Sequence, residues 1–315
     1  MDTIVVTPRG YAKYGKEEKE RLESLGYQVD MNDTGKPLSR EVFKEKAKEA
    51  AGIIVGVDQL DGELLRQCRN LRGIVKFGVG TDNIDLKTCR EMGIGVKRCL
   101  GTNSNAVAEY TIGMMFACAR NLVSNVEEVK KGNWTKPTGI ELRGKKLGII
   151  GFGSIGREVA RMALGIGMEI YVYDIADISE DVLHHYEAVQ KETNWIFEEC
   201  DFITLHVPLT NETQHMISEK EFHKMKNTAV LINAARGGIV DEKALWKALK
   251  ENEIYACASD VFTTEPPKNE EWIKELLSME RFLLTAHIAS RSGEAEKAAV
   301  KTATDHMLDL LRQES

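Results

Sequence analysis

Three side chains suited to proton transfer at an alcohol carbon stand late in the chain, each just past a short apolar run. The run 228–233 leads through Ala234 and Ala235 to Arg236 and a glycine pair, 256–260 leads toward Glu265, and 281–285 leads to His287. An imidazole titrates near neutrality, so His287 is read as the base that takes the hydroxyl proton when a 2-hydroxy acid is oxidised and returns it in reverse. A carboxylate on the other ring nitrogen would fix the tautomer and favour the imidazolium, the part expected of Glu265. Arg236, beside glycines that allow close backbone approach, offers a planar fork for a carboxylate and the neighbouring carbonyl. Singly, each has an ordinary structural reading; Arg236 can pair with Asp241, although Asp241 is better placed to cap the next helix. Their arrival at successive strand ends makes one site the better explanation. His184, His185, His215, His223 and His306 are read as structural.

The most specific pattern lies upstream. Gly151, Gly153 and Gly156 form a G-x-G-x-x-G after the apolar run 146–150 and ahead of a helical pattern, and a second run, 169–173, ends at Asp174. In that strand-turn-helix-strand context the motif reads as a dinucleotide site. Gly151 permits the tight turn, Gly153 lets the backbone approach a pyrophosphate, and Gly156 allows close helix packing. Amides near Ser154 and Ile155 then meet the phosphates at a helix N-terminus. Asp174 is expected to accept from both ribose hydroxyls of NAD and to repel the 2′-phosphate of NADP, since Ile175 and Ala176 offer no arginine. A glycine turn serving only packing is the bland alternative, and the complete pattern weighs against it. Ligands of open α/β sheets gather beyond the carboxyl ends of strands. Further cofactor contacts are therefore expected from His206, Val207, Pro208 and the nearby Thr213, from Ala234, Ala235 and Arg236, and from His287 and Ala289.

Positioning such residues takes βαβ layers, and the chain has them. β-Branched runs alternate with helical patterns through most of the 315 residues, a length that suits two domains with cores of their own. The first system runs from a strand at 3–7 through a charged helix at 16–25, a strand at 27–30, a helix opened by Ser39 as N-cap, and a strand at 52–56. Residues 103–120 are apolar on nearly every side and must be buried, in a core or at a subunit interface. A second system runs from Lys145 to about His287. The tail, 293–311, has apolar positions at helical spacing that would return it to the first domain. The alternating charges at 44–49 read as a solvated face.

Composition narrows the function. With 43% hydrophobic and 29% charged residues the chain is globular. The formal charge of −7 leaves nucleic acid no electrostatic footprint. The six cysteines form no C-x-x-C pair and have no close histidine, so neither a metal site nor disulfides are expected, and they read as reduced thiols. The N-terminus lacks the pattern of a signal peptide and no apolar stretch reaches spanning length, so a cytoplasmic protein away from membranes is expected.

In combination these residues resemble the D-isomer-specific 2-hydroxyacid dehydrogenase family over essentially the whole chain. The matching motifs are Gly78-Val-Gly-Thr-Asp-Asn-Ile-Asp85, Ser104-Asn-Ala-Val-Ala-Glu109, Gly151 to Gly156, His206-Val-Pro-Leu-Thr210, Asn233-Ala-Ala-Arg-Gly-Gly-Ile-Val-Asp241, Asp260-Val-Phe with Glu265-Pro266, and His287-Ile-Ala. The resemblance implies two doubly wound parallel-sheet α/β domains, a substrate-binding one from 1–102 and 289–315 and an NAD-binding Rossmann one from 103–288, with a cleft that closes between them. It further implies a homodimer built around 103–120. By the same likeness the amides of Val79 and Gly80, in the loop opened by Gly78, hold the substrate carboxylate, Arg236 polarises the reacting oxygen, and Asp260 contacts the nicotinamide carboxamide.

One departure is Ala286, where the family commonly has proline before the histidine, and looser preorganisation is expected from it. Within the family the chain looks most similar to short forms of D-3-phosphoglycerate dehydrogenase. That likeness implies 3-phosphoglycerate and phosphohydroxypyruvate as the substrate pair, a place in serine biosynthesis, and no C-terminal regulatory domain. Lys76 is the cation best placed for the phosphate, against its ordinary reading as a solvated strand-end lysine. Glyoxylate or hydroxypyruvate reduction is the alternative. An NAD-gated corepressor of the C-terminal-binding-protein type is a distant one, with no basic or tail-like segment behind it. The formate dehydrogenase branch fits less well, having glutamine where this chain has Glu265.

Overall fold

The computed structural model describes residues 1–312. The chain forms two compact units, one of Met1–Asn103 joined by the segment from Arg291 onward, the other of Ser104–Ser290. In the first unit, strands β1 (Thr3–Val6), β2 (Gln28–Met31), β3 (Gly52–Val55), β4 (Gly73–Lys76) and β5 (Gly95–Arg98) form one sheet in the order β2-β1-β3-β4-β5, parallel throughout. The middle strands are buried on both faces, which is why they read as unbroken apolar runs rather than alternating ones. Ser39 caps the helix Arg40–Lys48, its side chain accepting from the Val42 amide.

The long helix Gly293–Arg312 lies across this sheet. Gly52, Gly73 and Gly95 stand in register on three neighbouring strands. A Cβ at Gly52 would run into Met307, and one at Gly73 or Gly95 into Leu310. The glycine row is thus a groove that seats the helix.

The second unit carries β6 (Lys146–Ile150), β7 (Glu169–Tyr173), β8 (Ala188–Gln190), β9 (Phe202–Leu205), β10 (Val230–Asn233), β11 (Ala256–Ser259) and β12 (Phe282–Leu284). Their order is β12-β11-β10-β9-β6-β7-β8, again all parallel. Strand order reverses between β6 and β9, and such a switch point opens a crevice at the carboxyl ends of the strands. The helix Ser104–Ala119 packs on the helix Ser154–Ile166 and on β10 and β11. Ala108, Met115 and Ala119 are fully buried there, so its apolar surface is largely used within its own unit. The exposed apolar stripe belongs instead to the next helix, Leu122–Lys130, with Leu122, Val123, Val126 and Val129 open to solvent. All six cysteines are buried and free. Among the described residues no helix is long and apolar enough to cross a membrane.

Candidate active site

The glycine motif sits on the turn from β6 into the helix Ser154–Ile166. Gly151 has φ 98°, and a Cβ there would come within 2.5 Å of the His206 carbonyl oxygen, so both conformation and space require glycine. A Cβ at Gly156 would strike the Gly151 carbonyl oxygen, which fixes how closely the helix approaches the turn. Gly153 differs: it is the N-cap of the helix, and a Cβ there would meet nothing within 4 Å. Open space directly in front of a helix N-terminus is what a pyrophosphate needs, and the cradle fits a dinucleotide. Asp174, at the end of β7, accepts the Phe152 amide on Oδ2 at 2.7 Å and the Ala176 amide on Oδ1 at 3.0 Å. Asp174 thus ties the glycine turn to β7, and each oxygen keeps a further lone pair, as the ribose contact expected of it needs.

His206 ends β9 beside this turn. Its Nε2 lies 2.9 Å from Thr204 Oγ1, and its Nδ1 is buried without a partner. Burial pushes the imidazole down to about 3, so the ring is neutral and supplies no charge to a phosphate; its contribution to the cradle is the carbonyl that packs on Gly151. Thr213 closes the following loop, its Oγ1 donating to the Pro208 carbonyl at 2.6 Å and accepting the Thr210 amide at 2.8 Å.

The side chains expected to be catalytic arrive from the three strands on the other flank of the sheet. Past β10, the buried Asn233 uses its side chain as a brace, accepting the Ala235 amide at 3.1 Å and donating to the Arg236 carbonyl at 3.0 Å. The Arg236 guanidinium donates to the Ala235 carbonyl at 2.7 Å. Asp241 caps the helix Glu242–Lys250 through the Lys243 and Ala244 amides, so the ordinary reading of Asp241 as a helix cap holds. Past β11, Glu265 Oε1 accepts the Phe262 amide at 3.2 Å while its Oε2 lies 2.9 Å from His287 Nδ1. With Nδ1 donating to the carboxylate, Nε2 is the nitrogen left for the reacting hydroxyl. Both side chains are over two-fifths exposed, so the pair fixes the orientation of the ring and adds little stability.

His287 has φ 53°, a left-handed conformation that costs a non-glycine residue roughly 1–3 kcal/mol unless its surroundings hold it. Asp260, 1% exposed, is what holds it. Its Oδ1 accepts Thr285 Oγ1 at 2.6 Å and the Ile288 amide at 2.9 Å, and its Oδ2 accepts the Ala289 amide at 2.7 Å. Its carbonyl accepts the His287 amide at 2.8 Å. Asp260 therefore wraps the whole loop, which does the work that a proline at Ala286 would share. Sequence reasoning gave Asp260 only a cofactor contact; the buried residue just past a strand and opposite the histidine loop was the available signal for this second part.

The remaining expected site residues belong to the first unit. Gly78 has φ 141° and opens the loop through Val79 and Gly80. Lys76, at the end of β4, donates to the Gly56 carbonyl at 2.5 Å and to Asn83 Oδ1 at 2.7 Å. Asn83 Nδ2 in turn reaches the Gly56 and Asp58 carbonyls at 3.1 and 2.6 Å. Neither sequence reading of Lys76 describes this: the ammonium knits the loops after β3 and β4 together. Arg98, which sequence reasoning passed over, is exposed at the end of β5 with Nη1 3.5 Å from the Val79 carbonyl.

Residues 112–289 match the D-isomer specific 2-hydroxyacid dehydrogenase, NAD binding domain. The chain belongs to that family. This dehydrogenase is 37% identical to a hydroxypyruvate reductase of Thermotoga maritima over 283 residues, 89% of this chain and 91% of that protein. It is 39% identical to a D-3-phosphoglycerate dehydrogenase of Methanocaldococcus jannaschii over 280 residues, 88% of this chain and 53% of that one. A solved glyoxylate reductase from Paecilomyes thermophila superposes with a TM-score of 0.88 at 27% identity, covering 100% of this chain and 96% of that one. The dehydrogenase is an NAD-dependent oxidoreductase acting on D-2-hydroxy acids and their 2-oxo forms.

Proposed function

We propose that the dehydrogenase reduces a small unphosphorylated 2-oxo acid, glyoxylate or hydroxypyruvate, with NADH. The observation that carries this choice is Lys76: two of the three donors on its ammonium are spent on Gly56 and Asn83, so the cation expected for a phosphate is already at work inside the protein. Bound NADH supplies the hydride. The chain's own part is to hold the acid and move the proton: the amides of Val79 and Gly80 take the carboxylate, the Arg236 fork polarises the carbonyl oxygen, and His287 Nε2 delivers the proton while Glu265 stabilises the imidazolium. Asp260 Oδ2 has a lone pair left for the nicotinamide carboxamide. The first unit is then the substrate-binding domain and the second the NAD-binding domain.

Phosphohydroxypyruvate is the second reading, supported by the exposed Arg98 guanidinium beside the Val79 loop and by the 39% identical relative. Steady-state rates with NADH and NADPH on glyoxylate, hydroxypyruvate and phosphohydroxypyruvate decide between them. The proposal expects the highest kcat/KM with an unphosphorylated acid and NADH. A higher value for the phosphorylated acid transfers the assignment to 3-phosphoglycerate and a role in serine biosynthesis, and faster turnover with NADPH at equal concentration overturns the reading of Asp174.

The same reading includes a homodimer built around 103–120, and the helix Leu122–Lys130 is proposed to join that interface because Leu122 and Val126 are each 51% exposed on an apolar stripe. Val126→Asp should lower the mass seen in sedimentation; an unchanged mass removes that helix from the interface.

A further inference from the structure

The loop carrying Arg236 and the loop carrying Glu265 leave neighbouring strands, and their backbones touch. A Cβ at Gly237 would overlap the Phe262 carbonyl oxygen and lie 2.6 Å from the Thr263 amide nitrogen, so the two loops run against each other where Gly237 has no side chain. Backbone contact alone leaves them free to slide. One side chain bridges them: Glu242, in the first turn of the helix Glu242–Lys250. Its Oε1 accepts the Thr263 amide at 2.7 Å and the Thr263 hydroxyl at 2.9 Å, so the helix that leaves the Arg236 loop grips the loop that carries Glu265.

We propose that Glu242 is a positioning residue of the dehydrogenase, a latch that sets the Arg236 fork and the Glu265–His287 pair in register. Gly238 is two residues beyond Arg236, and Thr263 is one beyond Phe262, whose amide holds Glu265 Oε1. The helix start follows the Arg236 loop directly through the cap Asp241, so releasing Thr263 lets the carboxylate behind the histidine shift against the substrate-binding fork. The His215 amide donates to the Gly238 carbonyl at 2.8 Å, which holds the Arg236 loop from its other side. Half-burial raises the Glu242 carboxyl above its ordinary value, as expected of a carboxylate kept for its geometry rather than its solvation.

The grip can be loosened in steps. In Glu242→Gln the amide oxygen can still accept both Thr263 donors, Thr263→Val removes only the hydroxyl bond, and Glu242→Ala removes both. The inference rests on the roles given to Arg236, Glu265 and His287, not on which acid is reduced, so the kinetics use whichever 2-oxo acid the wild type turns over fastest. Glu242→Ala should lower kcat by about tenfold, Thr263→Val should lower it a few-fold with KM preserved, and Glu242→Gln should restore most of the rate. Amide hydrogen exchange gives a readout that needs no turnover: Glu242→Ala should speed exchange in the peptide holding Thr263, while Glu242→Gln leaves it near the wild-type rate. If Glu242→Ala lowers the melting temperature alone, with KM, kcat and exchange in both loops as in the wild type, Glu242 is a stabilising residue and the latch is refuted. Wild-type inactivity on every 2-oxo acid would count against the proposed function, while the exchange data would still decide the latch.

Discussion

The cofactor cradle and the histidine loop are both preorganised, and they are built in opposite ways. The cradle is shaped by side chains that are missing: Gly151 and Gly156 bring backbone against backbone, and Gly153 leaves an opening in front of a helix N-terminus. The histidine loop is shaped by carboxylates that are present, with Asp260 satisfying its backbone and Glu265 its ring. A phosphate must be admitted, which calls for room and for amides that point outward. A proton carrier must be held at one orientation, which calls for strong acceptors on several sides. Substitution should expose the contrast, since a fault in the cradle acts through affinity and a fault in the loop acts through rate.

The largest effect is expected on the loop side. His287→Ala should lower kcat by about 10² to 10⁴ while NADH affinity, followed by fluorescence titration, stays near wild type; turnover close to wild type would remove His287 from the chemistry. Asp260→Asn comes next. An amide cannot accept on both arms, and the Ala289 N–H, in a residue 5% exposed, loses its acceptor at a cost of about 1–3 kcal/mol. That should appear as a fall of about 10–100-fold in kcat, and a full rate in the variant would show that the loop needs no such wrapping. On the cradle side, Gly153→Ser should fold with a melting temperature near wild type, because serine caps a helix at least as well as glycine and its side chain enters open space, yet bind NADH about tenfold more weakly, roughly 1.4 kcal/mol. Equal NADH affinity would move the pyrophosphate elsewhere.

A last effect, on stability rather than on kinetics, is set by pH on the cradle side. His206 stays neutral in the folded chain until about pH 3, whereas an unfolded imidazole takes up its proton near 6.5. The unfolded state thus binds more protons below 6.5, and stability is lost progressively as pH falls from there toward 3. By pH 5 the loss reaches at most about 2 kcal/mol. His206→Gln has no proton to gain, so its melting temperature should fall less than the wild type's between pH 7 and pH 5; parallel curves would show that the ring is not the titrating group.

The same contrast explains what could be read from the sequence. Glycines at Gly151, Gly153 and Gly156, followed by Asp174, lie within one strand-turn-helix-strand unit, so the pattern that makes the cradle is local and visible in a single stretch. Arg236, Glu265 and His287 were visible as chemical types past apolar runs, because parallel strands of this sheet deliver their ends to one edge. Their supports were not visible. Asp260 and Glu242 act on residues more than twenty positions away, and nothing local marks an aspartate at a strand end as the wrapping of another loop. Lys76 shows the same limit from the other side: a strand-end cation looks available until tertiary structure brings the Gly56 carbonyl and Asn83 to it.

The groove of Gly52, Gly73 and Gly95 bears on synthesis as well as on architecture. The residues that fill it, Met307 and Leu310, are made roughly two hundred residues after the last of these glycines, with the whole second unit in between. A nascent chain therefore carries an N-terminal sheet with one apolar face bare for most of its time on the ribosome, and the part that emerges first is the last to be completed. The second unit, contiguous in sequence, can close while the first still waits for its covering helix. Chains interrupted before residue 293 would leave Ile4, Val6, Ile54 and Val75 without the helix that covers them. Aggregation during expression should track that sheet face.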